Sequence, residues 1–428
     1  MAAMATLDPK LQRQFALDVV TKLREALFEA YWAGGCVRDR LLSQTPKDYD
    51  VATDATPEET RQVFGERRTL AVGAAFGVIV VLGPQGAGQI DVATFREDAG
   101  YSDGRRPDAV IFSTPQLDAL RRDFTINGLF FDPLREQVID YVGGQADLAA
   151  GIVRAIGEPR ERFAEDKLRM LRAVRFAAAF GFDLEPETAA AIGEMASQVT
   201  VVSPERIAAE MSRMLVHESR ARAVRLLAEA GLLAVVLPEL PPLKTEPTRD
   251  DYGWRETLLA LERLVEPTFP LALAALLCGF VNDFHAVQPI VRRWKLSNRD
   301  AEQCCWLVAH TGALAGARTA NWPRLQRLLA GELAEDLLAL DEARAVAAGA
   351  SLDDIAWCRE IVARPRHEWD PPPLISGDDL LALGIPPGKV YQYLLEQVRD
   401  AQLEARVATP AEAIALARSL YDAGSGNR

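Results

Sequence analysis

Two aspartates and a pair of glycines carry the chemistry within reach of this sequence. Asp48 and Asp50 stand two residues apart in Lys47-Asp48-Tyr49-Asp50. In a strand, read here over Lys47 to Thr53, side chains at i and i+2 share a face, so the two carboxylates converge. Converging carboxylates with no lysine between them are costly unless a cation holds them, and open, oxygen-rich sites suit Mg²⁺ shared with substrate phosphates. Upstream, Gly34-Gly35 follow the apolar run Ala30-Tyr31-Trp32-Ala33, which reads as a strand, and precede a helix read over Val37 to Leu42. Glycines let backbone approach an anion, and the N–H groups at a helix start favour phosphate. Arg38 adds a bidentate grip. Phosphoryl or nucleotidyl transfer is the leading chemistry.

The elements that must position these groups extend on both sides. Residues Pro9 to Glu29 read as an amphipathic helix leading into the first strand. Thr56-Pro57-Glu58-Glu59 is a capping box with proline at the first helical position, opening a helix to about Phe64. The apolar run Ala75 to Leu82, a Gly/Pro turn and Gln89 to Arg96 read as a hairpin. Asp91 lies in its second strand and alternates with Ile90 and Val92, so it faces away from them. Residues Glu97 to Phe112 read as a long polar loop, a kind of segment that is typically functional or mobile.

Alone, a Gly-Gly pair is usually a turn and an Asp-x-Asp a solvated strand edge. In order, the pieces are more specific. GGCVRDRLL followed by KDYDVATDATPEE resembles the signature of the class II tRNA nucleotidyltransferases, the CCA-adding enzymes and their bacterial poly(A) polymerase relatives, within the DNA polymerase beta superfamily. The resemblance runs from about Leu27 to Leu215. It implies an α+β fold: a nucleotidyltransferase head with a mixed sheet and helices, then an all-α elongated neck, body and tail. The expected divisions are 1–150 for the head, 151–220 for the neck, 221–360 for the body and 361–428 for the tail.

The resemblance also implies residue roles. Asp48, Asp50 and Asp91 become the catalytic, Mg²⁺-binding carboxylates. Gly34, Gly35, Arg38 and Arg122 hold the triphosphate, Asp123 accepts from the ribose, and Asn127 belongs to the same nucleotide-binding run, Arg121-Arg122-Asp123-Phe124-Thr125-Ile126-Asn127-Gly128. The loop at Glu97 to Phe112 resembles the one that changes the enzyme from adding C to adding A. Asp140-Tyr141-Val142-Gly143-Gly144 resembles the joint between head and neck, its glycines suggesting a hinge.

Glu165-Asp166-Lys167-Leu168-Arg169-Met170-Leu171-Arg172 resembles the nucleotide-selecting motif. On a helix, Asp166, Arg169 and Arg172 share one side, opposite Leu168, Leu171 and Val174. The plain reading is an exposed ion-pair ladder. The chemical reading is sharper: a carboxylate accepts from the exocyclic amine of C or A, and a guanidinium donates to their ring acceptors, so U and G fail. Glu165 joins this motif, and Arg172 and Arg175 add phosphate or stacking contacts, Arg175 being furthest off the selecting face. Ser203-Pro204-Glu205-Arg206-Ile207 begins a helix that braces the selecting one. From about Ala221 the chain reads as successive helices, with breaks at Pro238 to Pro247 and Arg364 to Pro373 and a capping box at Thr409 to Glu412.

Composition sets the outer limits. A chain of 428 residues is expected to form several domains, and its 49% hydrophobic and 25% charged content is that of a soluble protein. A net charge of −13 argues against indiscriminate nucleic-acid binding. The stretch Arg154 to Arg175, with seven basic residues against four acidic ones, supplies a local basic face for RNA. The five cysteines form no C-x-x-C pair and read as buried free thiols. No basic-then-apolar leader and no run of about 18 apolar residues is present, so cytoplasm is the expected location. The four histidines are scattered and none precedes Asp, which disfavours a histidine-aspartate phosphohydrolase.

The resulting expectation is template-independent addition of C, C and A to tRNA 3′ ends, with CTP, ATP and tRNA acceptor and T arms as partners. Poly(A) polymerase is disfavoured by the lack of a basic, Arg-rich C-terminal extension, and CC-only addition by the intact loop. A-only addition shares every motif. A non-catalytic RNA-binding protein would have lost one of the carboxylates or Arg169.

Overall fold

Asp8 starts the first helix. Its carboxylate accepts from the N–H groups of Lys10 and Leu11, Pro9 occupies the first turn, and α1 runs Pro9–Glu25. It stops short of the expected Glu29 because the backbone turns out at Leu27, whose φ is 72°. The computed structural model describes residues 7–99, 109–243, 252–281 and 283–425. The chain divides into two units, Met1–Glu246 with Arg293–Lys295, and Pro247–Arg292 with Leu296–Arg428.

The first unit is built on a seven-stranded sheet in the order β3-β4-β5-β2-β1-β8-β9. Its strands are β1 (Ala30–Ala33), β2 (Asp50–Thr53), β3 (Thr69–Gly73), β4 (Val78–Leu82), β5 (Gln89–Thr94), β8 (Phe130–Asp132) and β9 (Gln137–Ile139). Between β1 and β2 lies α2 (Gly35–Leu41); the capping box opens α3 (Pro57–Phe64), with Thr56 and Glu59 bonded in both directions. The expected hairpin is present as β4 and β5, antiparallel, although its first strand begins at Val78 because Ala74–Phe76 form a 3₁₀ turn. β2 and β5 pair in parallel, setting Asp50 opposite Asp91. Ala33, Ala52, Phe95, Ala119 and Phe130 make a core cluster on the sheet.

The segment expected as a polar loop is paired at both ends. β6 (Arg96–Ala99) and β7 (Ala109–Phe112) form an antiparallel ribbon, from Arg96↔Phe112 to Ala99↔Ala109. The middle of the expected loop lies outside the described residues. Thr114 then caps α4 (Pro115–Leu120), an element the sequence reading did not anticipate.

The Asp140 turn leads into α5 (Gly144–Ala150), and its carboxylate accepts from the N–H groups of Val142, Gly143, Gly144 and Gln145. A Cβ on Gly144 would lie 2.1 Å from the Thr125 carbonyl oxygen, so close backbone packing requires glycine there. Beyond it come α6 (Pro159–Glu165), α7 (Leu168–Phe180), α8 (Pro186–Met195) and α9 (Pro204–Leu215).

The second unit is helical throughout its described residues. In the helix Phe269–Leu277, every residue from Pro270 to Leu277 is buried, as expected for a central helix apolar all round. Thr409 and Glu412 cap the last helix reciprocally, and Ile375, Leu380, Leu394 and Val398 belong to a separate core cluster nearby. All five cysteines are unbridged and buried. No helix among the described residues is long and apolar enough to cross a membrane.

Candidate active site

The carboxylates sit where β2 begins beside the end of β1. The register ends at Ala33↔Asp50, and β1 then turns away at Gly34. Asp48 and Tyr49 therefore lack a partner strand, and β2 begins at Asp50 instead of the expected Lys47. The alternation survives all the same: Asp48 and Asp50 are exposed, while Tyr49 is buried edge-on against Trp32, with ring centroids 4.9 Å apart. The parallel pairing places Asp91 beside Asp50 on the next strand, also exposed.

Like charges crowd here. Asp50 reaches solvent yet is surrounded by protein on most sides, and burial, with Asp48 and Asp91 nearby, pushes its carboxyl up to about 6. Asp91 is raised by burial and by Asp48. Among the described residues none of the three is held by an ion pair, and Arg122 eases Asp50 only through its field. Also among the described residues, no three His, Cys, Asp or Glu side chains already stand together as a metal cage. The donor set nevertheless fits Mg²⁺: hard oxygens, mutually repelling and open to solvent, so that phosphate and water complete the shell.

The Gly34 turn faces these groups. Gly34 has a φ of 69°, and a Cβ there would stand 2.9 Å from Arg122 Nη1. The backbone conformation is what favours glycine here, since the guanidinium end could shift to admit a Cβ. Helix α2 opens at Gly35, earlier than the expected Val37, but spans only seven residues, so its dipole is short. Arg122 supplies the nearby cation. Its Nη1 donates to the Asn127 carbonyl at 3.3 Å, and its Nε and Nη2 donate to Asp118.

Arg38, expected as a phosphate grip, is engaged by side chains of the same chain. It is 8% exposed, donates through Nε and Nη2 to Asp39 and through Nη1 to Asn127 Oδ1 at 2.6 Å, and lies over the Phe180 ring. Asn127 in turn donates to Asp123 Oδ1 at 3.0 Å. Burial raises the Asp123 carboxyl, but the Arg172 charge and the Asn127 and Arg172 hydrogen bonds outweigh it and bring it down to about 2. Arg172 Nε and Nη2 donate to Asp123 Oδ2 at 2.9 and 2.6 Å, joining the segment after α4 to α7.

The selecting motif is not one continuous helix. Asp166 is extended, φ −146°, between α6 and α7, because its carboxylate accepts from the Leu168 N–H and so caps the new helix. Asp166 is held by Arg206 of α9 at 2.6 Å, and Arg169 by Glu165 of α6, with a further bond from Arg169 Nη1 to the Arg162 carbonyl. Arg175 donates to Glu210 of α9 and lies 4.1 Å over Phe176, a bracing position away from Asp166. Glu210, 2% exposed, also takes Arg213. Ser203 precedes α9 as expected but makes no side-chain cap bond.

Asp118 escaped the sequence reading, whereas Glu210 was read only as part of the bracing segment that begins at Ser203, without its arginine partners. Asp118 had a local signal, standing three and four residues before Arg121 and Arg122. Glu210 lies 35 residues from Arg175 and had none.

Carboxylates on a mixed sheet with no ion-pair partner among the described residues, and an arginine beside a glycine turn, are an arrangement suited to nucleotidyl transfer. The Poly A polymerase head domain family matches residues 30–154, and the family described as the probable RNA and SrmB-binding site of polymerase A matches residues 181–243. A CCA-adding enzyme of Lactobacillus johnsonii is 33% identical over 410 residues, 93% of this chain and 95% of that one. The crystal structure of the Bacillus stearothermophilus CCA-adding enzyme in complex with CTP superposes with a TM-score of 0.76 at 29% identity, covering 97% of this chain and 99% of that one. The Thermotoga maritima CCA-adding enzyme complexed with tRNA shares the fold, with a TM-score of 0.64 at 20% identity over 97% and 96% of the two chains. The chain belongs to the CCA-adding enzymes, the class II tRNA nucleotidyltransferases.

Proposed function

We propose that this protein adds C, C and A in turn to the 3′ end of tRNA from CTP and ATP, without a nucleic-acid template. The observation that carries the proposal is the parallel pairing of Asp50 with Asp91, which gathers carboxylates with no ion-pair partner among the described residues beside Arg122 and Gly34. The full-length likeness to CCA-adding enzymes supports the same reading.

Asp48, Asp50 and Asp91 would hold Mg²⁺, which makes the tRNA 3′-hydroxyl a better nucleophile and takes up charge on the departing pyrophosphate. Gly34, Gly35 and Arg122 bind the triphosphate through backbone N–H groups and the guanidinium. Arg38, occupied by Asp39 and Asn127, orients that turn from behind. Asp123 accepts from the ribose hydroxyls, which selects ribonucleotides. Asp166 and Arg169 read the base: the carboxylate accepts the exocyclic amine of C or A, and the guanidinium donates to the ring acceptors. Glu165 and Arg206 hold these two readers apart and aimed. Arg172 fixes Asp123, and Arg175 braces α7. The head is assigned to 1–150, the neck to 151–220, and a tRNA-binding body and tail to 221–360 and 361–428, acting in the cytoplasm.

Transcripts of tRNA ending before CCA, after C and after CC test this, each given CTP, ATP or both with Mg²⁺. Addition of C-C-A followed by a stop is expected. A single A added only after CC, a stop at CC, or a long A ladder would each replace the proposal with a narrower or different polymerase.

A further inference from the structure

Asp118 lies outside every motif that the chemistry above uses, yet its surroundings single it out. Its side chain is 1% exposed and meets donors from three residues. Oδ1 accepts from Arg121 Nε at 2.8 Å and from the backbone N–H of Arg96, the first residue of the ribbon, at 3.3 Å. Oδ2 accepts from Arg122 Nε and Nη2 at 3.2 and 2.9 Å. With both those nitrogens turned back onto Asp118, Arg122 presents Nη1 to the Gly34 turn, 2.9 Å from where a Cβ would lie, and to the Asn127 carbonyl. A buried carboxylate is costly unless fully paired, so a site serving packing alone would be filled more stably by an apolar side chain. This carboxylate instead fixes the direction of a guanidinium.

We propose that Asp118 is a positioning residue for the incoming triphosphate: it aims Arg122 at the Gly34 turn and ties that aim to the root of the ribbon at Arg96. The proposal rests on the reading that Arg122 meets the triphosphate. Asp118 itself touches neither nucleotide nor metal. Without its charge, Arg122 keeps its own charge but loses its fixed direction, and affinity falls only for ligands whose β- and γ-phosphates reach that guanidinium.

The test compares equilibrium binding of CTP and CMP to the full chain in Mg²⁺. Wild-type protein is expected to prefer CTP, and Asp118→Asn to lose about ten- to a hundredfold of that preference, the range of a charge-assisted bond, while CMP affinity holds. Arg122→Gln is expected to lose the same preference, and the double variant no more than Arg122→Gln alone. Asp118→Glu, which keeps the charge but displaces it, serves if Asp118→Asn does not fold, with the same expected loss. Equal weakening of CTP and CMP, an unchanged preference, or additive losses in the double variant would each overturn the assignment. A wild-type chain that extends no tRNA would instead strike the function beneath it.

Discussion

Two groups of carboxylates in the first unit are used in opposite ways. Among the described residues, Asp48, Asp50 and Asp91 stand together without an arginine or lysine bound to any of them, and Asp50 is pushed up to about 6. Asp123, Asp166, Glu165 and Glu210 are each bound by an arginine, and Asp123 is brought down to about 2. Burial works in the same direction at Asp50 and Asp123; the difference is whether a protein cation answers it. The first group, Asp48, Asp50 and Asp91, is therefore built to receive its positive charge from outside. The second group, Asp123, Asp166, Glu165 and Glu210, has its positive charge supplied by arginines of the same chain.

The sharpest way to break this contrast is at Asp50. Asp50→Ala is expected to cut addition by about a thousandfold or more, since the metal-held charge stabilisation is lost. tRNA binding should persist, and the melting temperature should hold or rise because a repelling charge has gone. Extension assays with a thermal melt decide it, and retained turnover would remove the metal assignment. Asp48→Ala is expected to follow the same pattern.

The second group should respond in the opposite sense. Glu210→Ala leaves Arg175 and Arg213 without their buried partner, and a loss of about 3–5 kcal/mol in unfolding free energy is expected, read by urea melts. A neutral result would mean that the fold does not depend on these ion pairs. Arg169→Ala should cost about ten- to a hundredfold in CTP and ATP use and admit U or G, measured by misincorporation. Unchanged selectivity would return Arg169 to the surface-ladder reading.

The pH dependence separates the two groups without mutation. Asp50 holds its proton more tightly folded than unfolded, so its contribution to stability is full below about pH 4 and lost as pH rises through about 6. Asp123 runs the other way: its contribution is present above about pH 4 and lost as pH falls toward 2. Mg²⁺ should thus raise the melting temperature more at about pH 7.5 than at about pH 5, where Asp50 is largely protonated. The smallest effect is expected at Cys36, whose thiol burial pushes up to about 12; it should resist alkylation until the chain unfolds.

Much of the site was legible in order along the chain. Gly34-Gly35, the Asp48-Tyr49-Asp50 alternation and the Thr56 and Thr409 capping boxes are local devices, decided by backbone sterics and by side chains a few residues apart. The helical second unit was legible for the same reason. Asp166 was misread as helical because its periodicity suited a helix, whereas its carboxylate reaches the Leu168 N–H and breaks the chain there. The polar stretch after β5 hid a ribbon whose two strands need each other, across a separation that pattern does not bridge.

What the sequence offered by itself is the order of the candidate groups along the chain, because types and short spacings carry that; Asp91 joined them through the family resemblance. Tertiary structure alone decided which charge answers which. Asp50 meets Asp91 through a parallel register, Asp166 meets Arg206 across 40 residues, and Arg172 meets Asp123 across 49. Electrostatic energy depends on distance in space and on burial, and neither is written in the spacing along a chain.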